Sequence, residues 1–195
     1  MKAVVCTQYG PPDVLQVKDM PTPQPKDHEV CIKNFATAVT GSDVLIRGAD
    51  MPLLLGMMFR MMIGLRKPRK PILGLVFAGE VESVGNDVTR FKQGDQVYGF
   101  TGFSFGAYAE YLCVPEHESK RGCLAIKPAA MSYEEAAAVA YGGILAPYFL
   151  AKGAIQHGQR VCIYGASGGV IGLTECAQKR HSNFVLSEFR SNHAG

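Results

Sequence analysis

Short apolar runs separated by turn residues make up the first two thirds of the chain. Val30 and Ile32 alternate with Cys31 and Lys33, which is the two-residue period of a β-strand. Clusters of glycine, proline and aspartate divide this run from its neighbours. The pattern predicts strands at 2–7, 15–19, 30–38, 77–84, 96–100, 107–114 and 124–127. Many short strands with glycine turns indicate a barrel or a sandwich.

The pattern changes from strands to an alanine-rich helix near residue 130. Ser132 and Glu135 have the spacing of a capping box, in which each side chain accepts a hydrogen bond from the other residue's backbone N–H. The alanines at 136–140 favour a helix, which we expect Tyr141, Gly142 and Gly143 to interrupt before it resumes at 144–152. We therefore predict two domains, 1–130 and 131–195.

A glycine-rich turn follows the apolar run at 161–164 and precedes a segment with helical spacing. Its residues are Gly165, Ala166, Ser167, Gly168, Gly169 and Val170. Strand, glycine turn and helix in this order form the phosphate-binding corner of a dinucleotide-binding fold. Glycines let the backbone turn tightly and let a phosphate approach its N–H groups. Many tight strand-to-helix turns bind nothing, so both alternatives stay open on these residues alone.

The segment 51–65 is apolar and rich in methionine, and the basic run 66–70 follows it. Methionine adapts to varied apolar partners, so one interpretation is a flap or core segment beside a site, with a solvated charge run behind it. The alternative is a membrane-surface helix with a basic flank, in a peripheral membrane protein.

Composition and charge narrow the class of protein. The net charge of +3 is small and gives no indication of a nucleic-acid partner. No run approaches the ~20 apolar residues of a membrane span. None of the six cysteines forms a Cys-x-x-Cys pair. We therefore expect reduced, mostly buried thiols in a cytoplasmic protein.

Several motifs in a fixed order resemble the medium-chain dehydrogenase/reductase superfamily. They include the glycine-rich segment 71–85, the segment 88–99, Gly106-Ala-Tyr-Ala-Glu-Tyr111, and the segments 125–128 and 135–140. The resemblance implies a mostly β, GroES-like, partly open barrel as catalytic domain, followed by a Rossmann α/β segment. It also implies an enzyme that transfers hydride from NAD(P)H, with NADP(H) favoured, to a small-molecule substrate.

The resemblance further implies the zinc-free branch of this superfamily. Zinc-dependent members carry cysteine at the position of Thr40, and histidine and glutamate at the positions of Leu75 and Val76. A hydroxyl and two aliphatic side chains do not supply the thiolate and imidazole ligands that zinc takes. We expect no metal site, and an enzyme of the quinone oxidoreductase and zeta-crystallin type. Its substrate would be a quinone or an activated carbonyl or alkene.

Thr40, Asp43 and Tyr141 are the candidate catalytic residues that the resemblance implies, and residues 165–170 are the candidates for the cofactor pyrophosphate. Asp43 has the alternative of a carboxylate that caps a helix N-terminus. Tyr141 has the alternative of a core residue.

The last part of the chain departs from the superfamily. Only 23 residues (195 − 172) follow Gly172, whereas one βαβ unit takes about 30. We expect a truncated Rossmann segment, with 178–195 either a second strand and its flanks or a tail from a frameshift or altered splice. We also expect weak or absent cofactor affinity and impaired activity. The non-enzyme alternative is a fragment that acts by binding, as a homo-oligomer or with full-length relatives.

Overall fold

A curled antiparallel sheet is the main feature of the computed structural model, which describes residues 1–48, 57–58, 60–61 and 63–153. Its strands are ordered β6-β3-β4-β5-β7, and β1 and β2 form a separate two-stranded ribbon. The edge strands β6 and β7 also contact each other, so the sheet curls into a partly open barrel. The strands are β1 (Lys2–Cys6), β2 (Leu15–Asp19), β3 (Glu29–Ala36), β4 (Val76–Val84), β5 (Gln96–Phe100), β6 (Tyr111–Pro115) and β7 (Cys123–Ile126).

The inner face of the sheet carries the hydrophobic core. Alternate positions on each strand point inward because successive side chains of a strand lie on opposite faces. Val30 and Ile32 are fully buried there, whereas Cys31 lies on the other face. The core also contains Phe77, Val81, Phe91, Val97, Ala107, Leu112, Val114 and Leu124.

All seven predicted strands are present, and the main difference lies at the start of β6. The sequence predicted a strand from 107, but regular pairing with β3 begins at Tyr111. Before that point the chain pairs with β1, where the Val4 N–H donates to the Tyr108 carbonyl at 2.8 Å. The amide of Asn34 also donates to the carbonyls of Ala107 (2.7 Å) and Ala109 (3.2 Å). These bonds hold 107–110 as a connecting loop.

In the described part of the chain, two α-helices have defined ends, α1 (Gly41–Gly48) and α2 (Tyr133–Lys152), and short 3-10 turns cover Pro12–Val14 and Gly102–Ser104. The capping box at the start of α2 is confirmed: the Ser132 N–H donates to Glu135 Oε2 at 2.9 Å, and the Glu135 N–H donates to Ser132 Oγ at 3.2 Å. The predicted interruption at 141–143 is wrong, because α2 continues through both glycines. Glycine costs only about 1 kcal/mol in a helix interior, which the residues on either side can offset.

The chain divides into two units, Met1–Ala138 and Val139–Gly195, and the dividing point lies inside α2. Within the first unit, Ala136 and Ala137 pack against Ala78 of β4. The predicted domains, 1–130 and 131–195, stay a prediction, because residues 154–195 lie outside the described part of the chain. In the part described, no helix is long and apolar enough to cross a membrane.

Candidate functional site

Thr40 and Asp43 meet at the N-terminus of α1. The Thr40 N–H and hydroxyl both donate to Asp43 Oδ2, at 2.9 and 2.7 Å, and the Asp43 N–H donates back to Thr40 Oγ1 at 3.3 Å. This reciprocal pattern is a capping box with aspartate in the third helical position. The two candidate residues are therefore brought together, and the first turn of α1 fixes both side chains.

The hydrogen bonds of Asp43 are those expected from its alternative role as a carboxylate that caps a helix N-terminus. The residue is 3 % exposed, and its Oδ2 satisfies two backbone or hydroxyl donors. A carboxylate so enclosed offers little surface to a substrate. Thr40 is half-buried and lies nearer to the surface. These contacts hold the side chains of Asp43 and Thr40 against each other, and a catalytic role for either residue stays a prediction.

Tyr108 is the residue of this site that sequence reasoning missed. Its hydroxyl and Asp43 Oδ1 are both buried, and neither has a hydrogen-bond partner of ordinary geometry in the described part of the chain. Burial raises the pKa of Tyr108, and the Asp43 carboxylate raises this pKa further. Tyr108 belongs to the motif Gly106–Tyr111, which is one of the motifs that carry the family resemblance. Nothing local in the sequence indicates that this tyrosine lies beside α1.

Gly74 makes room for Tyr108 at the start of β4. Its φ is +98°, and a Cβ there would lie 2.7 Å from both the backbone N and the Cδ1 of Tyr108. The hydroxyl of Thr101, which is fully buried, donates to the Gly74 carbonyl at 3.0 Å. Only glycine combines this backbone conformation with the close approach, so Gly74 fixes the loop that carries Tyr108.

Two cavities border this region of the first unit. One of about 470 Å³ lies between the β1–β2 ribbon and the end of β3; its lining includes Phe35, Thr37 and Tyr108, but neither Thr40 nor Asp43. The other, about 210 Å³, lies beside α1 and is lined by Ile46, Leu73, Phe105 and their neighbours. The volume of the larger cavity falls toward the lower end of the range that small-molecule sites occupy.

The family model for the alcohol dehydrogenase GroES-like domain matches residues 26–128, which carry the sheet, α1 and Tyr108. The chain belongs to this family. The match confirms the resemblance to the medium-chain dehydrogenase/reductase superfamily and the GroES-like barrel that it implied.

Quinone oxidoreductases are among the relatives of this GroES-like chain. A quinone oxidoreductase of Lama guanicoe is 34% identical in an alignment of 194 positions that covers 95% of this chain and 51% of that protein. The solved quinone oxidoreductase of Coxiella burnetii has a TM-score of 0.79 at 28% identity, covering 99% of this chain and 58% of that one. The Escherichia coli quinone oxidoreductase solved with NADPH has a TM-score of 0.75 at 25% identity, covering 95% and 52%. The chain thus spans about half the length of the curated relatives it matches.

The remaining candidate residues belong to the second unit, and most of them lie outside the described residues. Tyr141 is half-buried on α2 in the second unit. The proposed pyrophosphate turn, 165–170, lies outside the described residues. In the methionine-rich segment, Ile63 is buried, whereas Met57, Met58 and Met61 are more than half exposed. Its role as a flap or as a membrane surface stays a prediction.

Two of the positions that would hold zinc in metal-dependent members carry apolar side chains in this GroES-like domain. Leu75 is 5 % exposed, and Val76 is fully buried at the start of β4. Across the described ranges, no three histidine, cysteine or acidic side chains come together as a metal-binding group.

Proposed function

We propose that this chain is part of an NAD(P)H-dependent oxidoreductase of the zinc-free medium-chain type, which transfers a hydride to a quinone or an activated carbonyl or alkene. The observation that carries the proposal is its likeness to quinone oxidoreductases along 95% of its length. NADP(H) is the favoured cofactor, and the Escherichia coli relative supports this preference because it was solved in complex with NADPH.

The hydrogen bonds of Thr40 decide what its side chain can offer a ligand. Its only hydroxyl hydrogen is donated to Asp43 Oδ2 at 2.7 Å, and one of its lone pairs faces the Asp43 N–H at 3.3 Å. The hydroxyl therefore has one lone pair left and accepts rather than donates a further hydrogen bond. An acceptor of this kind fits a primary amide, which is the group that the nicotinamide ring carries.

The chemistry that a bound nicotinamide supplies is hydride transfer to the substrate. Reduction of a quinone also consumes a proton. Thr40 is a poor source for it, because its hydroxyl hydrogen is committed to Asp43, and the Tyr108 hydroxyl is buried. We infer that this part of the chain orients the reactants and that water supplies the proton.

The absence of a resident zinc ion is also part of the proposal. It is supported by the side-chain chemistry at Thr40, Leu75 and Val76, since zinc takes thiolate, imidazole or carboxylate ligands. Metal analysis of the purified protein should find less than one zinc per chain, and added chelator should leave the NADPH-dependent rate unchanged.

The proposal is tested by following NADPH consumption with a para-quinone in the wild type, Thr40→Ser and Thr40→Val. Serine keeps the hydroxyl acceptor and valine removes it at nearly constant shape. We expect Thr40→Val to raise KM for NADPH at least fivefold and Thr40→Ser to stay within twofold of the wild type. Urea unfolding of both variants separates this effect from loss of the helix cap. The wild-type rate should be low, because we expect activity to be impaired in this chain. A rate no higher than that of the protein-free reaction for all three proteins would favour the non-enzyme alternative over the proposal.

A further inference from the structure

Two cysteines face each other across adjacent strands on the outer face of the sheet. Cys31 of β3 is the register partner of Cys113 of β6, and both are free thiols. They lie on the face opposite the hydrophobic core, since their neighbours Val30, Ile32, Leu112 and Val114 point inward. Cys31 is buried and Cys113 is half-buried, so solvent reaches the pair from the side of Cys113.

The backbone hydrogen bonds show which kind of pair this is. Asn34 N–H donates to the Glu110 carbonyl at 2.8 Å, and Glu116 N–H donates to the His28 carbonyl at 3.0 Å. In an antiparallel ladder hydrogen-bonded pairs recur at every second residue, so 34/110, 32/112, 30/114 and 28/116 are the bonded pairs. Cys31 and Cys113 therefore occupy a non-hydrogen-bonded position, where Cα atoms lie about 4.5 Å apart and side chains approach most closely. That separation is inside the range that a disulfide spans.

We propose that Cys31 and Cys113 form a redox-active dithiol that a hydroperoxide converts to a cross-strand disulfide. In the first step the Cys113 proton passes to Cys31, and the Cys113 thiolate, at the accessible sulfur, attacks hydrogen peroxide. An S–O bond forms, the O–O bond breaks, and the departing hydroxide takes the proton from Cys31 and leaves as water. In the second step Cys31 attacks the Cys113 sulfur, the S–S bond forms and the oxygen leaves as a second water. Two thiols are oxidised, and one hydrogen peroxide is reduced to two waters.

The electrostatics of the pair agree with this geometry. A hydrogen bond from the Cys113 thiol lowers the pKa of Cys31, while the same contact, burial and the neighbouring sulfur raise the pKa of Cys113. The pair thus loses its first proton from Cys31 and holds the second between the two sulfurs, and transfer of this shared proton from Cys113 to Cys31 puts the thiolate on the accessible sulfur. The state with one thiolate and one thiol is the form that thiol–disulfide chemistry uses.

The test is a disulfide map of the full chain treated with hydrogen peroxide, alkylated and digested with trypsin without reduction. Cleavage after lysine and arginine places Cys31 alone in peptide 27–33 and Cys113 alone in peptide 93–120. We expect these two peptides to appear joined, with a mass lower by two hydrogen atoms than their sum, and to separate with dithiothreitol. The wild-type protein suffices for this result, so it does not depend on any variant folding.

The matched controls are Cys113→Ser and Cys123→Ser. Cys123 is also a half-buried thiol, but its register partner on β5 is Phe100. We expect Cys123→Ser to form the joined peptide as the wild type does and Cys113→Ser to leave Cys31 as a thiol. Joined peptides that contain Cys123 or Cys6 instead would overturn the proposal. So would independent oxidation of Cys31 and Cys113 to sulfinic acids, or their persistence as thiols at oxidant concentrations that fully oxidise glutathione.

Discussion

At the scale of single residues, the arrangement of Thr40, Asp43 and Tyr108 explains how one buried carboxylate organises the site. Asp43 Oδ2 accepts two hydrogen bonds from Thr40. The other carboxylate oxygen, Oδ1, lies near the Tyr108 phenol, and within the described part of the chain it has no hydrogen-bond partner of ordinary geometry. The carboxylate thereby fixes the direction of the Thr40 hydroxyl hydrogen. A change at Asp43 should therefore act on the fold and on Thr40 together.

We expect Asp43→Asn to lower the free energy of unfolding by about 1 kcal/mol, because two charge-assisted hydrogen bonds become neutral ones. Asp95→Asn is the matched control: Asp95 Oδ2 accepts the Lys92 N–H at 3.0 Å in an exposed turn. Asp95→Asn should lower the free energy of unfolding by less than about 0.5 kcal/mol. Urea unfolding measures both, and equal losses would show that the burial of Asp43 adds nothing.

Tyr108 should make the stability of the protein fall at high pH. Burial and the Asp43 carboxylate raise its pKa in the folded protein above that of the unfolded chain, which is about 10. Below that pH both states hold the phenol proton; above it the unfolded state loses the proton first and gains population. The free energy of unfolding should therefore decline more steeply above pH 10 in the wild type than in Tyr108→Phe. Parallel declines in urea unfolding would contradict the shift.

At the scale of elements, the site forms where the start of α1, the start of β4 and the loop before β6 converge. Thr101 and Asn34 hold this junction through backbone carbonyls: Thr101 binds that of Gly74, and Asn34 binds those of Ala107 and Ala109. The junction thus depends on close backbone approach, and a small addition at its centre should be costly.

We expect Gly74→Ala to lower the free energy of unfolding by about 3 kcal/mol, because its Cβ would lie 2.7 Å from the Tyr108 backbone N. Gly94→Ala is the control, since Gly94 also has a positive φ, +87°, but a Cβ there meets nothing within 4 Å. It should cost only about 1 kcal/mol of backbone strain. If both variants lose the same amount in urea unfolding, the contact with Tyr108 is not tight.

Elements with a local signature could be predicted from the sequence, and junctions between elements could not. Ser132 and Glu135 are three residues apart, so their capping box was visible in the chain and is confirmed. Tyr108 and Asp43 are 65 residues apart (108 − 43), and their encounter depends on the curl of the whole sheet. The helix break at 141–143 was wrong for a related reason, because two glycines weaken a helix but do not end it.

At the scale of the whole molecule, the chain contains a GroES-like barrel and spans about half the length of its quinone oxidoreductase relatives. The barrel supplies Thr40 and its support, whereas the proposed pyrophosphate turn, 165–170, belongs to the second unit. Cofactor binding is therefore the measurement that connects the two parts of the proposal.

Because we expect weak or absent cofactor affinity, millimolar NADPH should raise the Tm by no more than a few degrees, and a larger rise would contradict that expectation. Binding at about ten times Kd stabilises by roughly 1.4 kcal/mol, and each kcal/mol moves the Tm of a chain this size by roughly 2–4 °C. NADH should give a smaller shift, and ATP at equal concentration controls for general anion binding. Gly168→Val should lose the NADPH shift, because a branched side chain blocks the approach of a phosphate to the turn. A shift that ATP reproduces, or that survives in Gly168→Val, would place the nucleotide somewhere other than this turn.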